Sequence, residues 1–176
     1  MVAYYTYLIS SLPMLHFGMK PPFSLEKFIG ICAKLIPEKD FEILNSIPKI
    51  QIGLYKGRQP TLIKWEGFEI ALRNELVKIR SSHRRIDPLK FMRQTNYTDF
   101  SLVHIAMNAH RNPSVLEGEK TLDLARWHFL DGLTFGHYFD LDVLVVYALK
   151  LLMLERREKI NAADKAKILE ETLAKV

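Results

Sequence analysis

An apolar run from Leu141 to Leu154, interrupted only by Asp142 and Lys150, constrains the fold more than any other feature of the sequence. Apolar residues fill almost every position, so a helix built from them is apolar on nearly all faces. The run has about 14 residues, fewer than the roughly 18–20 that a helix needs to span a membrane. We therefore predict a buried central helix, from about Leu141 to Lys159, that other elements or a partner must cover.

Further segments carry apolar residues at every third or fourth position, the spacing of amphipathic helices. The predicted helical segments are residues 25–36, 38–47, 62–86, 99–110, 113–133 and 163–174. Residues 4–12 fit either a short strand or the first turns of a helix, because they are rich in tyrosine and β-branched side chains. Residues 48–60 contain two prolines and two glycines, so we predict an irregular connector there and would place any hinge in it. The expected fold is an all-α, single-domain bundle of about six to seven helices over residues 1–176. Any extended segment is expected near the N-terminus or in the connector.

The composition suits one compact domain with a mild excess of positive charge. Hydrophobic residues make up 48% of the 176 residues, which is enough for a sizeable core. The formal net charge of +5 favours an anionic partner, which can be an acidic protein, a nucleic acid or a negatively charged membrane surface. The one cysteine, Cys32, allows no intramolecular disulfide, and this fits a reducing cytoplasm. We expect a cytoplasmic protein without a membrane span, with the inner face of the membrane as a peripheral location.

The sequence carries no recognisable motif for catalysis or cofactor binding. No two of its six histidines stand at the i, i+4 spacing of a helical zinc site. It lacks the glycine-rich loop that cradles phosphates and the Gly-x-Ser-x-Gly turn of many hydrolases. Asp140 directly precedes the apolar run and is interpreted as the cap of its helix. We therefore predict no catalytic residue, no cofactor and no metal ion.

Two basic clusters lie near the ends of predicted helices, where cations complement the helix dipole. The same cations could dock an acidic surface, and the aromatic residues just before the apolar run could serve the same purpose. The candidate partner-docking residues are Arg84, Arg85, Phe135, His137, Tyr138, Phe139, Arg156, Arg157 and Lys159.

Two stretches of the sequence resemble a known family. The opening residues 4–13, YYTYLISSLP, are similar to the YYYLVASLP start of an uncharacterised bacterial family (DUF2764-like). Arg126 and Trp127, followed by LTFGHYFD at residues 133–140, are similar to the family's RW…LT..HYFD block, and residues 147–156 continue the match. Members of this family are encoded within V-type ATPase operons. A fainter similarity links the chain to the C/d family of V-type ATPase subunits, although the chain is much shorter than those all-helical proteins.

The resemblance implies a non-catalytic accessory, stalk or assembly subunit of a V-type (archaeal-type) ATPase, and hence a part in ion transport. Its partners would be other ATPase subunits, in the stalk or the rotor, contacted through protein–protein interfaces. The resemblance transfers no catalytic residue to this chain.

Two other functions remain open from the residues alone. The first is a basic helical module that binds nucleic acid through Arg80, Arg84 and Arg85, and its affinity would fall steeply with salt. Nucleic acid is the less favoured partner, because no aromatic residues are interleaved with these arginines. The second is a small-molecule enzyme with a site near His137 and Asp140, which would require a concave pocket joining these residues to further polar groups.

Overall fold

The structure is a computed structural model that describes the backbone of residues 5–173 and the side chains of residues 5–163. The described residues form seven α-helices and no strand, which confirms the all-α prediction. The helices are α1 (Thr6–Ser11), α2 (Leu25–Cys32), α3 (Glu38–Ser46), α4 (Pro60–Arg84), α5 (Ser101–Arg111), α6 (Val115–Leu133) and α7 (Leu141–Leu173). Single 3-10 turns lie at Ile47–Lys49 and Pro88–Lys90. The N-terminal segment is thus helical from Thr6, and Tyr4 lies outside the described residues.

The chain divides into two compact units. The first is drawn from Met1–Pro48 and Tyr138–Val176, and the second is Lys49–His137. The boundary between Pro48 and Lys49 falls at the start of the predicted connector. Whether these units act as one domain with a hinge, as the sequence suggests, stays a prediction.

Helix α7 supplies the core of the first unit. Its buried side chains pack against α2 and α3, which also contact each other. The fully or almost fully buried residues of this core include Leu25, Phe28, Cys32, Leu44, Leu144, Val145, Ala148, Leu151 and Leu154. The apolar run also predicts burial of Leu152 together with Leu144, Ala148 and Leu151; for Leu152 this is wrong, because its side chain is 36% exposed. The apolar run therefore buries one broad face and leaves part of the opposite face to solvent.

The predicted end of the apolar helix near Lys159 is also wrong, because α7 continues to Leu173. No proline or glycine interrupts residues 141–173, so nothing in the local sequence stops the helix. The final helix predicted from about residue 163 owes that prediction to a narrow apolar stripe, Leu169, Leu173 and Val176, which lies outside the side chains that the structure describes.

Partly buried polar contacts tie α2 to α7, and the start of α1 to α3, in the first unit. The carboxylate of Glu155 accepts a hydrogen bond from the N–H of Leu25 at 2.7 Å, and so satisfies the start of α2. The Tyr5 hydroxyl donates to Asp40, while burial and that carboxylate raise the pKa of the phenol above its usual value.

Cys32 is fully buried and burial raises the pKa of its thiol to about 12, which makes it an unreactive core residue.

The second unit is a packed group of three helices, α4, α5 and α6. The segment after α4 runs back along it, and Asn74 fixes this return by donating to the carbonyl of Arg93 at 2.8 Å and accepting from its N–H at 3.0 Å. Farther along, Tyr97 packs edge-on against Phe68, in the first half of α4. Helix α5 begins there and so runs beside α4 in the same direction.

An aromatic cluster joins α4 and α6 in the second unit. The rings of Phe68 and Phe129 stack in parallel with centroids 4.1 Å apart, and Tyr97 meets Phe129 edge-on at 5.6 Å. Trp65 packs against both phenylalanines. Rings in such arrangements contribute stability beyond the area that they bury.

The connector before α4 is irregular, as predicted, but α4 ties it down. The carboxylate of Glu66 accepts hydrogen bonds from the N–H groups of Gly53 at 2.8 Å and Tyr55 at 2.9 Å. Gly53 has a φ of +87°, a left-handed conformation that glycine adopts without a steric penalty. The guanidinium of Arg93 also donates to the carbonyl of Ile52.

Within the described residues, no helix combines the length and apolar character needed to cross a membrane.

The neighbouring residues Leu151 and Leu152 test the orientation of α7. We expect Leu151→Ala to cost about 2–5 kcal/mol, because it opens a cavity in the core, and Leu152→Ala to cost under about 1 kcal/mol. The rate at which a thiol reagent labels Cys32 in the absence of denaturant measures the opening of the first unit, because Cys32 is the only cysteine. We expect Cys32 to be labelled roughly 30-fold or more faster in Leu151→Ala than in the wild type, and at close to the wild-type rate in Leu152→Ala. Equal effects of the two substitutions would contradict the placement.

Candidate functional site

An open groove of about 680 Å³ runs between α4 and α5 on the second unit. Ile79, Val103 and Met107 give it an apolar floor, and the Val103 side chain remains 38% exposed. The polar residues that line it are Glu75, Lys78, Ser82, His83, His110 and Arg111. A partly exposed apolar floor with a charged rim is typical of a binding surface.

Two histidines meet at one end of this groove. The ring centroids of His83 and His110 lie 4.8 Å apart, although the residues belong to different helices. They come together because α5 runs parallel to α4, so that the C-terminal ends of both helices lie side by side. The spacing of histidines along a single helix could not reveal this pair.

The predicted docking residues Arg84 and Arg85 are exposed at the same end of α4. Arg85 has a φ of +55° and is the one non-glycine residue of the described chain with a positive φ. The N–H of Arg85 bonds to the carbonyl of Ser82 at 3.3 Å, and that of Ile86 to Ser81 at 3.1 Å, which closes the helix with a Schellman motif. Glycine is the usual residue at this position, since a left-handed conformation costs other residues about 1–2 kcal/mol.

The second basic cluster does not lie at a helix end. Arg156, Arg157 and Lys159 are in the middle of α7, because that helix continues to Leu173. The expected stabilisation by the helix dipole therefore does not apply to them, since it acts only within the last turn. The guanidinium of Arg157 lies 4.8 Å from the centre of the Phe17 ring, a cation–π contact within the first unit. Arg156 and Lys159 are exposed on the helix surface.

The aromatic residues ahead of α7 are strongly exposed. Phe135, in the second unit, is 92% exposed, and Tyr138, in the first unit, is 73% exposed. Phe139 is partly exposed, and its carbonyl accepts a hydrogen bond from the N–H of Tyr5. Gly136 has a φ of +83°, so the chain turns sharply between the two aromatic side chains.

His137 and Asp140, the residues of the proposed enzyme site, have local structural contacts. The carboxylate of Asp140 accepts from the N–H of Val143 at 3.3 Å, and so caps α7 as the sequence predicts. The N–H of His137 donates to the carbonyl of Thr134 at 3.0 Å. His137 and the carboxylates of Asp140 and Asp142 are potential cation ligands, but they are divided between the two units, and we assign no site to them.

A buried network of charges in the second unit is a feature that the sequence did not predict. The guanidinium of Arg126 bonds to Glu69 at 2.5 Å and to Asp123 at 3.0 Å, and the three side chains are at most 10% exposed. Arg73, on the surface of α4, adds an ion pair to Glu69 at 3.4 Å. The apolar spacing of α4 and α6 predicts that Glu69 lies away from the core and that Asp123 is solvated, and both predictions are wrong. The amphipathic pattern places charged residues outside, and it cannot show that two of them find a buried partner.

The network is best described as structural. Burial opposes the charge on Arg126, but the adjacent carboxylates of Glu69 and Asp123 outweigh this effect and raise the pKa of the guanidinium. Two carboxylates and two guanidinium groups leave the network without net charge. Arg126 belongs to the RW…LT..HYFD block by which the sequence resembles the bacterial family. That block, and not the helical pattern, was the one signal in the sequence that pointed to Arg126.

The family model described as "Protein of unknown function (DUF2764)" matches residues 71–175 of the chain. This range includes most of α4 and the groove that it forms with α5. No curated protein matches the chain, and no solved structure does.

Arg126 and Arg73 provide a matched test of the buried network, since both contact Glu69. We expect Arg126→Met to cost about 3–5 kcal/mol, because it leaves buried carboxylates without their partner. Arg73→Ala removes a half-exposed pair and should cost under about 1 kcal/mol. Urea unfolding followed by tryptophan fluorescence measures both, because Trp65 and Trp127 are the two tryptophans and lie in this unit. If Arg126→Met is as stable as the wild type, the network contributes nothing to folding.

Proposed function

Because the chain belongs to the DUF2764 family, a family of proteins of unknown function, we propose a role for it from its surface and from its resemblance to V-type ATPase operon proteins. The chain acts by binding other proteins, as a non-catalytic accessory, stalk or assembly subunit of a V-type ATPase. Its partners are other subunits of that complex.

The exposed aromatic residues Phe135 and Tyr138 are the observation that carries this proposal. They belong to the segment LTFGHYFD, in which Gly136 forms the turn and Asp140 caps α7. Phe135, by contrast, leaves 92% of its surface in solvent. Exposed large aromatic side chains are favoured anchors of protein interfaces, because they bury much apolar area at a small entropy cost.

The basic end of α4 supports binding of an acidic partner. Arg85 keeps a left-handed conformation in which glycine would avoid the steric penalty. Such local strain at a surface position favours a functional reason for the residue. Exposed arginines at the rim of an interface raise the rate of association with a negatively charged surface.

The choice of a V-type ATPase rests on the resemblance of the opening segment and of the two later blocks. The family match covers residues 71–175 and so includes Arg126 and the LTFGHYFD segment. An interaction subunit needs no catalytic residue, which agrees with a sequence that offers no catalytic motif.

Co-purification tests this proposal directly. A tagged chain, produced at natural levels in cells that make both it and a V-type ATPase, should retain stalk or rotor subunits after nuclease treatment. We expect Phe135→Ala to reduce the retained subunits at least about tenfold, since interface hot spots commonly contribute 2 kcal/mol or more. Phe100→Ala is the matched control, because Phe100 is an 85% exposed phenylalanine of the same unit.

The proposal is wrong if no ATPase subunit is enriched over an untagged strain, or if only nucleic acid is retained before nuclease treatment. Equal retention by wild type and Phe135→Ala would remove the observation that carries it. Both substitutions should leave stability within about 0.5 kcal/mol, because neither side chain is buried.

A further inference from the structure

We propose that the groove between α4 and α5 binds an acidic amphipathic helix of a partner protein. The inference rests on the proposed function, because it assumes that the chain works by binding proteins, and it adds the place and the chemistry of one contact. The groove is separate from Phe135 and is formed entirely by residues of the second unit.

The dimensions of the groove fit a helix. Its lining residues span positions 75–83 on α4 and 103–111 on α5. At 1.5 Å per residue, each wall is about 12 Å long, or roughly two helical turns. The volume of about 680 Å³ is open to solvent and can receive the side chains from one face of a docked helix.

The floor of the groove provides the apolar half of the interaction. Val103 and Met107 stand four residues apart on α5 and Ile79 faces them from α4, while the inward face of α5 is occupied by Leu102 and Ala106. The three floor residues are thus additional to the core. A helix that binds in such a groove places apolar residues at positions i, i+3 or i+4, and i+7 along the floor.

The rim determines the charge of the partner. Lys78 lies on the α4 wall and Arg111 on the α5 wall, while His83 and His110 close one end. Glu75 is the one carboxylate among the lining residues, and it pairs with Lys78 at 2.6 Å. The Glu75–Lys78 pair leaves that part of the α4 wall without net charge, while Arg111 gives the rim a net positive charge, so an acidic helix is favoured over a basic one.

The same charges argue against the other occupants. A second copy of a chain with a net charge of +5 would bring like charges together at a basic rim. A small ligand is usually enclosed over most of its surface, whereas this groove is open to solvent. A partner helix with flanking carboxylates satisfies the apolar floor and the cationic rim together.

Two synthetic peptides of about four helical turns test the inference on the full-length chain. Both have leucine at positions i, i+3, i+4 and i+7; one carries glutamate at the flanking positions and the other lysine. Fluorescence anisotropy of the labelled peptides should show binding of the glutamate peptide and at least tenfold weaker binding of the lysine peptide. Equal affinities would overturn the inference, because they would indicate unspecific apolar contact.

Substitutions locate the binding. Val103→Glu and Arg111→Glu should each weaken binding of the glutamate peptide at least tenfold. The first adds negative charge to the floor of the groove, and the second reverses a positive charge on its rim. Ile63→Glu and Lys64→Glu are the matched controls, since they make the same changes at exposed positions of α4 outside the groove. The controls should bind within twofold of wild type, and tryptophan fluorescence verifies that all four variants are folded. Equal losses in variants and controls would overturn the inference.

Other outcomes are also decisive. The assignment of an acidic helix is wrong if neither peptide binds. It is also wrong if the chain does not bind the glutamate peptide but uses Val103 to bind anionic vesicles or a second copy of itself. The proposed function can still stand in that case, provided that ATPase subunits are retained on the tagged chain in a way that depends on Phe135. If the glutamate peptide binds but co-purification yields no part of the ATPase, the groove is correct and the partner complex is not a V-type ATPase.

Discussion

The candidate site depends on the direction in which α5 runs, and hydrogen bonds to α4 set that direction. Asn74 satisfies both backbone groups of Arg93, so the segment after α4 is held against that helix with its polar backbone paired. The return segment reaches Gly67 and Phe68 in the first half of α4, and α5, which follows it, runs parallel to α4. The adjacent helix ends, the histidine pair and the groove follow from this geometry.

The buried charges of the second unit have a different role. Removing Glu69, Asp123 and Arg126 from water is costly, and their mutual attraction only offsets that cost. We infer that their value lies in specificity, because Arg126 on α6 reaches Glu69 on α4 only when the two helices are in the observed register. The stacked rings of Phe68 and Phe129 lie on the same two helices and favour the same arrangement. The polar and the apolar contacts thus favour the same packing of α6 against α4. Helix α4 also forms one wall of the groove.

The first unit shows how one helix can combine two characters. The early part of α7 is apolar and forms the core with α2 and α3, while the part that holds Arg156 and Lys159 is polar and exposed. The change occurs without any break in the backbone, because helix propensity and burial are separate properties. The exposed cations Arg156 and Lys159 therefore lie in the middle of one continuous helix.

The sequence by itself determined the local elements and the class of the fold. Ser24 and Asp140 cap the helices that follow them, and proline and glycine interrupt the chain between Pro48 and Pro60, because these effects act over a few residues. The sequence also identified the exposed arginines at the end of α4 and the aromatic segment before α7. These features can be read from spacing because their physical causes are short-range.

Only the tertiary structure decided which distant residues meet. Glu69 and Arg126 are 57 positions apart, and no periodicity links them. His83 and His110 are paired by the parallel course of α4 and α5, and the exposure of Leu152 beside the buried Leu151 depends on which face of α7 is covered by its neighbours. An amphipathic pattern fixes which residues a helix can bury. The packing of the other helices fixes which of them it does bury, and which charged side chains are enclosed with them.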